Sequence, residues 1–248
     1  MRRLLILYSL IAPHLVIVAG FSASSATPSN TSSSNNGDNH ATWEDIGRHL
    51  LGLRKGGIPD HELMMTRLDI PHWNKVRSAE SKVPGAGRGL FAATDIKKGE
   101  LITCYPGDIL LQPNGLMGVP EYLEKDEKLL RTLLFKYSVG SIRDGIAVMG
   151  LPEKVDDMAY AGHLINDGAK PPTNEAELER YVQESEHCRN VEHCPLENIH
   201  MVTIALRDIK AGEELLVSYG PVYWMDHAET WRGNSNSGTE ELIKIKDS

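Results

Sequence analysis

Cysteine is scarce in this chain: three residues in 248, at positions 104, 188 and 194. Three thiols cannot make the disulfide framework that holds many small secreted domains together. Cys104 lies in an apolar, strand-like run and reads as a buried thiol. Cys188 and Cys194 each follow a histidine, His187 and His193, but an adjacent His and Cys struggle to reach one metal, and no Cys-x-x-Cys is present. A zinc site and a Cys188–Cys194 disulfide are the alternatives to free thiols there, and no residue is assigned as a metal ligand. A basic excess is also missing. Lys and Arg number 26 against 34 Asp and Glu, giving a net charge of -8 and a pI near 5.7. That balance argues against direct binding of nucleic acid through a broad basic surface, and it is compatible with a basic, lysine-bearing partner. No internal repeat is evident. Hydrophobic residues make up 41%, enough to bury a core, and the length suits one domain of ordinary size with extensions.

Residues 1–26 form a separate unit. Met1-Arg2-Arg3 is a short basic start, Leu4 to Ala19 is nearly all apolar, and small residues follow, so cleavage is expected after Gly20 or after Ala26. This is the pattern of a signal peptide, or of the first part of a targeting presequence. A retained anchor is the alternative, opposed by the short run and by Pro13 and His14. No stable membrane insertion is expected after leader cleavage. Residues 27–41 read as a disordered Ser/Asn-rich linker, too poor in apolar surface to fold. Phe21 beside a candidate cleavage point, followed by a hydroxylated, acid-poor stretch, resembles the two-part presequences of algae with secondary plastids. That resemblance implies entry into the secretory pathway with a plastid as destination; secretion or an endomembrane lumen is the alternative.

A helical extension is expected over 42–75. Thr42-Trp43-Glu44-Asp45 fits a capping box, Trp43, Ile46, Leu50 and Leu53 recur at helical spacing, and Lys55-Gly56-Gly57 ends the helix. The stripe predicts docking on the main domain. From Val76 short strands alternate with turns: 89–92, 101–105, 137–139 and 146–149 around Arg143-Asp144-Gly145, then 199–206 and 215–218. Leu123, Leu129, Leu130, Leu133, Leu134 and Tyr137 predict one helix across 121–135. A shorter helix over 174–184 falls inside an insertion at 169–198. Residues 76–224 thus read as a mainly β domain with short helices, and 225–248 as a flexible polar tail.

Three segments carry the functional information. The first is Pro84-Gly85-Ala86-Gly87-Arg88-Gly89-Leu90-Phe91-Ala92, with Tyr105-Pro106-Gly107 shortly after. The second is Gly162-His163-Leu164-Ile165-Asn166-Asp167-Gly168. The third is Gly212-Glu213-Glu214-Leu215, closing in Ser218-Tyr219-Gly220-Pro221-Val222-Tyr223-Trp224. Taken alone, the glycine-rich loop is only a tight turn between strands. In this order the segments resemble the SET-domain family of protein lysine methyltransferases, over roughly residues 76–224.

The resemblance implies a fold of small curved sheets with a C-terminal pseudoknot, S-adenosyl-L-methionine as cofactor, and a protein substrate with an accessible lysine. It makes Gly85, Ala86, Gly87, Arg88 and Gly89 the first cofactor loop, where glycines let the backbone approach the ligand. His163, Asn166 and Asp167 fall in the segment usually read Arg-Phe-Ile-Asn-His-Ser; His163 replaces the Arg, Asp167 the His and Gly168 the Ser. Asn166 would meet the methionyl end and the backbone of Asp167 the adenine. Tyr219 matches the catalytic tyrosine, near both cofactor and amine, and Tyr105 lines the lysine channel as a second catalytic residue. Val217 stands where many relatives carry the Phe or Tyr that limits methyl number, so the degree of methylation stays open. Tyr223 and Trp224 pack on adenine or close the core, and Trp224 is counted with the cofactor residues. The cysteine-rich flanks of many histone-directed relatives are absent, which opposes a histone substrate.

Methyl transfer to lysine requires a held cofactor, a neutral amine and alignment of the two. With a free pKa of about 10.4, neutralising the amine at pH 7 costs roughly 4–5 kcal/mol. An apolar channel lowers that cost by disfavouring the ammonium form. Asp167, Gly168 and the 169–198 stretch keep two alternatives open: a catalytically inactive SET-like protein-binding module, and methylation of another side chain such as histidine.

Overall fold

The computed structural model describes residues 42–70, 73–143 and 145–225. The expected leader, the linker at 27–41 and the tail beyond residue 225 lie outside the described residues.

Eleven short strands carry the fold: β1 Val76–Glu80, β2 Arg88–Ala92, β3 Leu101–Tyr105, β4 Ile109–Gln112, β5 Gly115–Met117, β6 Ser138–Arg143, β7 Ile146–Met149, β8 Asn166–Asp167, β9 Val191–Leu196, β10 His200–Ala205 and β11 Leu216–Val217. They form four small sheets: β1-β2, β3-β10-β9, β5-β4-β7-β6, and β11-β8. All pairings are antiparallel except β8 with β11, which run parallel with Asn166 opposite Leu216 and Asp167 opposite Val217. The C-terminal segment therefore lies directly against the earlier Asn-Asp segment, the juxtaposition that a C-terminal pseudoknot requires. β1 and β2 pair from Val76↔Ala92 to Glu80↔Arg88, so the glycine-rich segment is their hairpin loop.

The helices are α1 Trp43–Lys55, α2 Asp60–Met65, α3 Glu121–Glu124, α4 Glu127–Tyr137 and α5 Leu178–Cys188. The capping box on α1 is formed: Thr42 Oγ1 accepts from the Asp45 amide, and the Thr42 amide donates to Asp45 Oδ2, both at 3.2 Å. Ile46 and Leu50 are buried against β3, β9 and β10, with Leu53 packed beside them. Trp43, expected in that stripe, is instead 41% exposed; the stripe proper starts one turn later. The single helix expected over 121–135 is two, because Asp126 caps a fresh start by accepting from the Leu129 amide at 2.9 Å. Leu130, Leu133 and Leu134 of α4 then cover Ile109, Leu111, Ala147 and Met149 of the four-stranded sheet. β4, β5 and α2 carried no separate sequence expectation. β9 sits within the range read as an insertion, yet it pairs along its whole length with β10. It is an edge strand, which is where Pro195 is tolerated.

One repeat does exist, contrary to the sequence expectation. Asp95-Ile96-Lys97-Lys98-Gly99-Glu100 and Asp208-Ile209-Lys210-Ala211-Gly212-Glu213 share the pattern Asp-Ile-Lys-x-Gly-Glu. The two turns face each other with near two-fold symmetry. Ile96 and Ile209 exchange both backbone hydrogen bonds at 2.9 Å. Lys97 pairs with Asp208 at 3.0 Å and Lys210 with Asp95 at 2.8 Å. The same aspartates accept the backbone amides of Lys98 and Ala211. These ion pairs are exposed and weak, but the buried isoleucines set the register that brings residues 213–215 alongside β2.

Candidate functional site

That register joins the first and third motif segments. Ala92 donates to the Glu213 carbonyl at 2.9 Å and Leu215 to the Leu90 carbonyl at 2.8 Å. Glu214 is thereby turned inward and 6% exposed. Its carboxylate accepts Ser81 Oγ at 2.5 Å and the Lys82 amide at 2.8 Å, tying down the start of the hairpin loop. Gly85 and Gly87 take φ of 76° and 70°, the left-handed region that glycine adopts without strain. Gly89 answers a different need: a Cβ there would lie 2.4 Å from Glu214 Oε1. Asn166 closes the arrangement from β8, its Nδ2 donating to the Arg88 carbonyl at 2.9 Å.

Between the loop and β11 opens a cleft of about 400 Å³, lined among others by Lys82, Pro84, Gly168, Cys188, Arg207 and Leu216. This is within the usual range of ligand pockets, roughly 300–1,000 Å³. Lys82 and Arg207 bring positive charge to it and Glu213 and Glu214 negative charge; Arg207 and Glu213 are paired with each other at 2.9 Å, so a zwitterion there would meet an existing ion pair. Added side-chain atoms at Gly85 and Gly87 would meet nothing within 4 Å, so the loop backbone is open to a ligand. By size, charge and open backbone these residues fit the cofactor that the resemblance implies.

Tyr219 does not line this cleft. Its hydroxyl donates to the Ile165 carbonyl at 3.0 Å, and its amide to Asp167 Oδ2 at 2.9 Å. Tyr105 is buried and donates to the Tyr137 carbonyl at 2.6 Å. Burial raises the Tyr219 phenol well above its ordinary pKa, with Tyr223, Tyr105, Asp167 and Tyr137 adding to the rise. Burial raises Tyr105 likewise, reinforced by Tyr223 and Tyr137. Four tyrosines thus gather here as neutral phenols, able to donate and accept hydrogen bonds but not to act as anions near neutral pH. Arg88, on the glycine-rich hairpin, pulls the Tyr137 phenol down against the larger effect of its burial.

Asp167 is 4% exposed and accepts five donors. Oδ2 takes Tyr181 Oη at 2.5 Å, the Tyr219 amide at 2.9 Å and Trp224 Nε1 at 3.4 Å. Oδ1 takes the Ala169 amide at 3.0 Å and Ser185 Oγ at 3.3 Å. Trp224 packs with Tyr219, Tyr223, Tyr181 and Ala169, stacked on Tyr219 at 5.8 Å. His163 is buried, 6% exposed. Its ring meets Tyr105 and Tyr137 edge-on at 6.3 and 6.5 Å. Both ring nitrogens are buried without a hydrogen-bond partner among the described residues. Burial pushes its pKa down to about 4, with Asp108 opposing and Arg67 assisting. His193 hydrogen-bonds Thr203 Oγ1 at 2.9 Å and Cys104, Cys188 and Cys194 are free thiols. Among the described residues no group of three His, Cys, Asp or Glu is placed to hold a metal.

Four residues of the site had no role assigned from sequence. Glu214 was legible only as part of the Gly-Glu-Glu-Leu turn. Asn190 buries its amide between the Glu214 carbonyl and the Leu216 amide, each at 2.8 Å. Tyr181 showed only as an apolar member of a helical stripe, and Tyr137 as a helix and strand residue.

The family model described as the SET domain matches residues 87–220, more than half of the chain. No curated protein matches it. Similar solved structures include three of the Polycomb Repressive Complex 2 of Chaetomium thermophilum. An apo form with two substitutions in Ezh2 is 23% identical over 58% of this chain and 15% of that one, with a TM-score of 0.34. A humanized mutant bound to an inhibitor is 25% identical over 58% and 15%, with a TM-score of 0.34. An autoinhibited conformation bound to S-adenosylmethionine is 23% identical over 63% and 17%, with a TM-score of 0.37. The chain thus spans 15–17% of the length of these structures.

Proposed function

The chain belongs to the SET-domain family, and from that premise we propose that it is an S-adenosyl-L-methionine-dependent methyltransferase acting on a lysine side chain of a protein. One observation carries the reading. The parallel pairing of Asn166-Asp167 with Leu216-Val217 brings the glycine loop, the Asn166 amide and Tyr219 to one place. Bound at the cleft, the cofactor supplies a methyl group on a positively charged sulfur, electrophilic enough for direct attack by an amine. The chain's own part is to hold and align. Lys82 suits the carboxylate of the methionyl end, and Asn166 has an amide oxygen left to accept from its ammonium. Lys82, Val83 and Pro84 of the same hairpin loop form one wall of the cleft.

The acceptor amine must arrive neutral. Buried phenols at Tyr105 and Tyr219 make surroundings in which the ammonium form is disfavoured. As neutral groups they can accept the amine's remaining N–H bonds and aim its lone pair. The test has two stages on the full chain. Calorimetric titration with S-adenosyl-L-methionine should show one site. Tritiated-methyl cofactor with a whole-cell protein extract should then label a protein, and mass spectrometry should place the methyl on lysine. Methyl on histidine would change the acceptor, binding without transfer would favour a protein-binding module, and no binding would remove the proposal.

A further inference from the structure

α5 supplies a side chain to the reaction centre that the family motifs do not contain. Where those motifs have His, this chain has Asp167, a carboxylate that can only accept hydrogen bonds and is here buried among five donors with no cation paired to it among the described residues. The Tyr181 hydroxyl lies at the centre. It donates to Asp167 Oδ2 at 2.5 Å and accepts from the Gly220 amide at 3.0 Å. The same Asp167 oxygen accepts from the Tyr219 amide at 2.9 Å. Two successive amides, those of Tyr219 and Gly220, are therefore fixed by one phenol–carboxylate pair. The Tyr219 hydroxyl is fixed at its other end by the Ile165 carbonyl, two residues before Asp167.

We propose that Tyr181 is a positioning residue for methyl transfer, holding the Tyr219–Gly220 backbone through Asp167 and so aiming the Tyr219 phenol; this rests on the methyltransferase reading above. The physical reason is an accounting of donors and acceptors. Without the Tyr181 hydroxyl, the part-buried Gly220 amide loses its acceptor, and Asp167 loses its shortest donor in a buried place where water cannot easily replace it. The backbone at 219–220 then gains freedom. A phenol displaced by about 1 Å loses on the order of 100-fold in alignment-dependent rate. The Tyr181 ring is fully buried, and Phe fills nearly the same space, so packing is retained in Tyr181→Phe.

The experiment compares the full-length wild type with Tyr181→Phe, Asp167→Asn and the double variant, by two readouts. In hydrogen exchange at pH 7, Tyr181→Phe should speed exchange of the Tyr219 and Gly220 amides at least tenfold while leaving β3 and β10 unchanged. In single-turnover labelling of a whole-cell protein extract with tritiated-methyl S-adenosylmethionine, it should lower the rate at least tenfold. Affinity for the cofactor should shift less than threefold. Because Tyr181 and Asp167 form one clamp, joined by their own hydrogen bond, Tyr181→Phe should cost less in the Asp167→Asn background than in the wild type. Unchanged exchange at 219–220 overturns the inference, as does a wild-type rate or a fully multiplicative double variant. If the wild type transfers no methyl, the methyltransferase reading fails and the exchange result still decides the clamp.

Discussion

The side-chain amide of Asn166 donates to the main-chain carbonyl of Arg88 across 2.9 Å, linking two motif segments 78 residues apart. The bond orients the Asn166 side chain, so that its oxygen is available to a ligand. Asn166→Ala removes both the orienting bond and the ligand contact. Affinity for S-adenosyl-L-methionine should fall by about 1–3 kcal/mol, the scale of a hydrogen bond to a charged group. Calorimetry on a variant with wild-type circular dichroism measures it; an unchanged Kd would take Asn166 out of the site.

Gly89 is a matter of space. An alanine methyl there would sit 2.4 Å from Glu214 Oε1, 3.2 Å from Ser81 Cβ and 3.3 Å from Asn166 Nδ2. The methyl would displace a buried carboxylate that holds Ser81 and Lys82. Gly89→Ala should cost about 1–3 kcal/mol in urea unfolding, the range for overpacking a filled site, and weaken cofactor binding as the loop shifts. A wild-type urea midpoint would mean that Glu214 does not make this clamp in solution.

What the sequence disclosed, and what it did not, follows from the range of the interactions. The hairpin loop at 81–87 and the strand at 101–105 are local: glycines and an unbroken apolar run announce them. So is the Thr42–Asp45 cap, three residues apart. β9 hid because its burial is mixed and a proline interrupts it, both features of an edge strand whose partner lies across a turn. The break at Asp126 was masked by leucines that continue the helical period across it. Asp167 looked like a defect because its partners, Tyr181 and Ser185, lie on a helix whose placement no local pattern declares. Trp43 fitted a stripe by spacing alone, and spacing does not show where the neighbouring domain surface ends.

Three histidines, His163 and His200 buried and His193 half-buried, set an acid limit on the fold. Burial lowers His163, His193 and His200 to about 4 each, with the Leu63 backbone opposing the shift at His200 and Asp108 opposing it at His163. The unfolded chain would protonate them near 6.5. Between these values the unfolded state binds more protons, so stability is fully present above about pH 6.5 and is lost as pH falls toward 4. Each proton taken up contributes a slope of about 1.4 kcal/mol per pH unit. Urea unfolding from pH 7.5 to 4.5 should show this decline, and His163→Gln should flatten it. A stability that stays level across the interval would show that the imidazoles are solvated.

Tyr219 should matter to turnover far more than to binding. Its hydroxyl reaches the Ile165 carbonyl at 3.0 Å and stands among Tyr105, Tyr137 and Tyr223. It lies outside the lining of the cleft that suits the cofactor. A group placed so can sense the amine as it closes on the methyl, an interaction strongest in the transition state. Tyr219→Phe keeps the ring, the stacking on Trp224 at 5.8 Å and the backbone bond to Asp167. Its single-turnover rate should drop by about tenfold or more, each tenfold equal to roughly 1.4 kcal/mol of barrier, while cofactor affinity changes less than about threefold. The measurement uses a protein substrate identified by mass spectrometry and saturating cofactor. Equal rates in wild type and variant would leave the hydroxyl with only its bond to Ile165. A loss confined to cofactor affinity would instead move Tyr219 from the amine side of the site to the cofactor side.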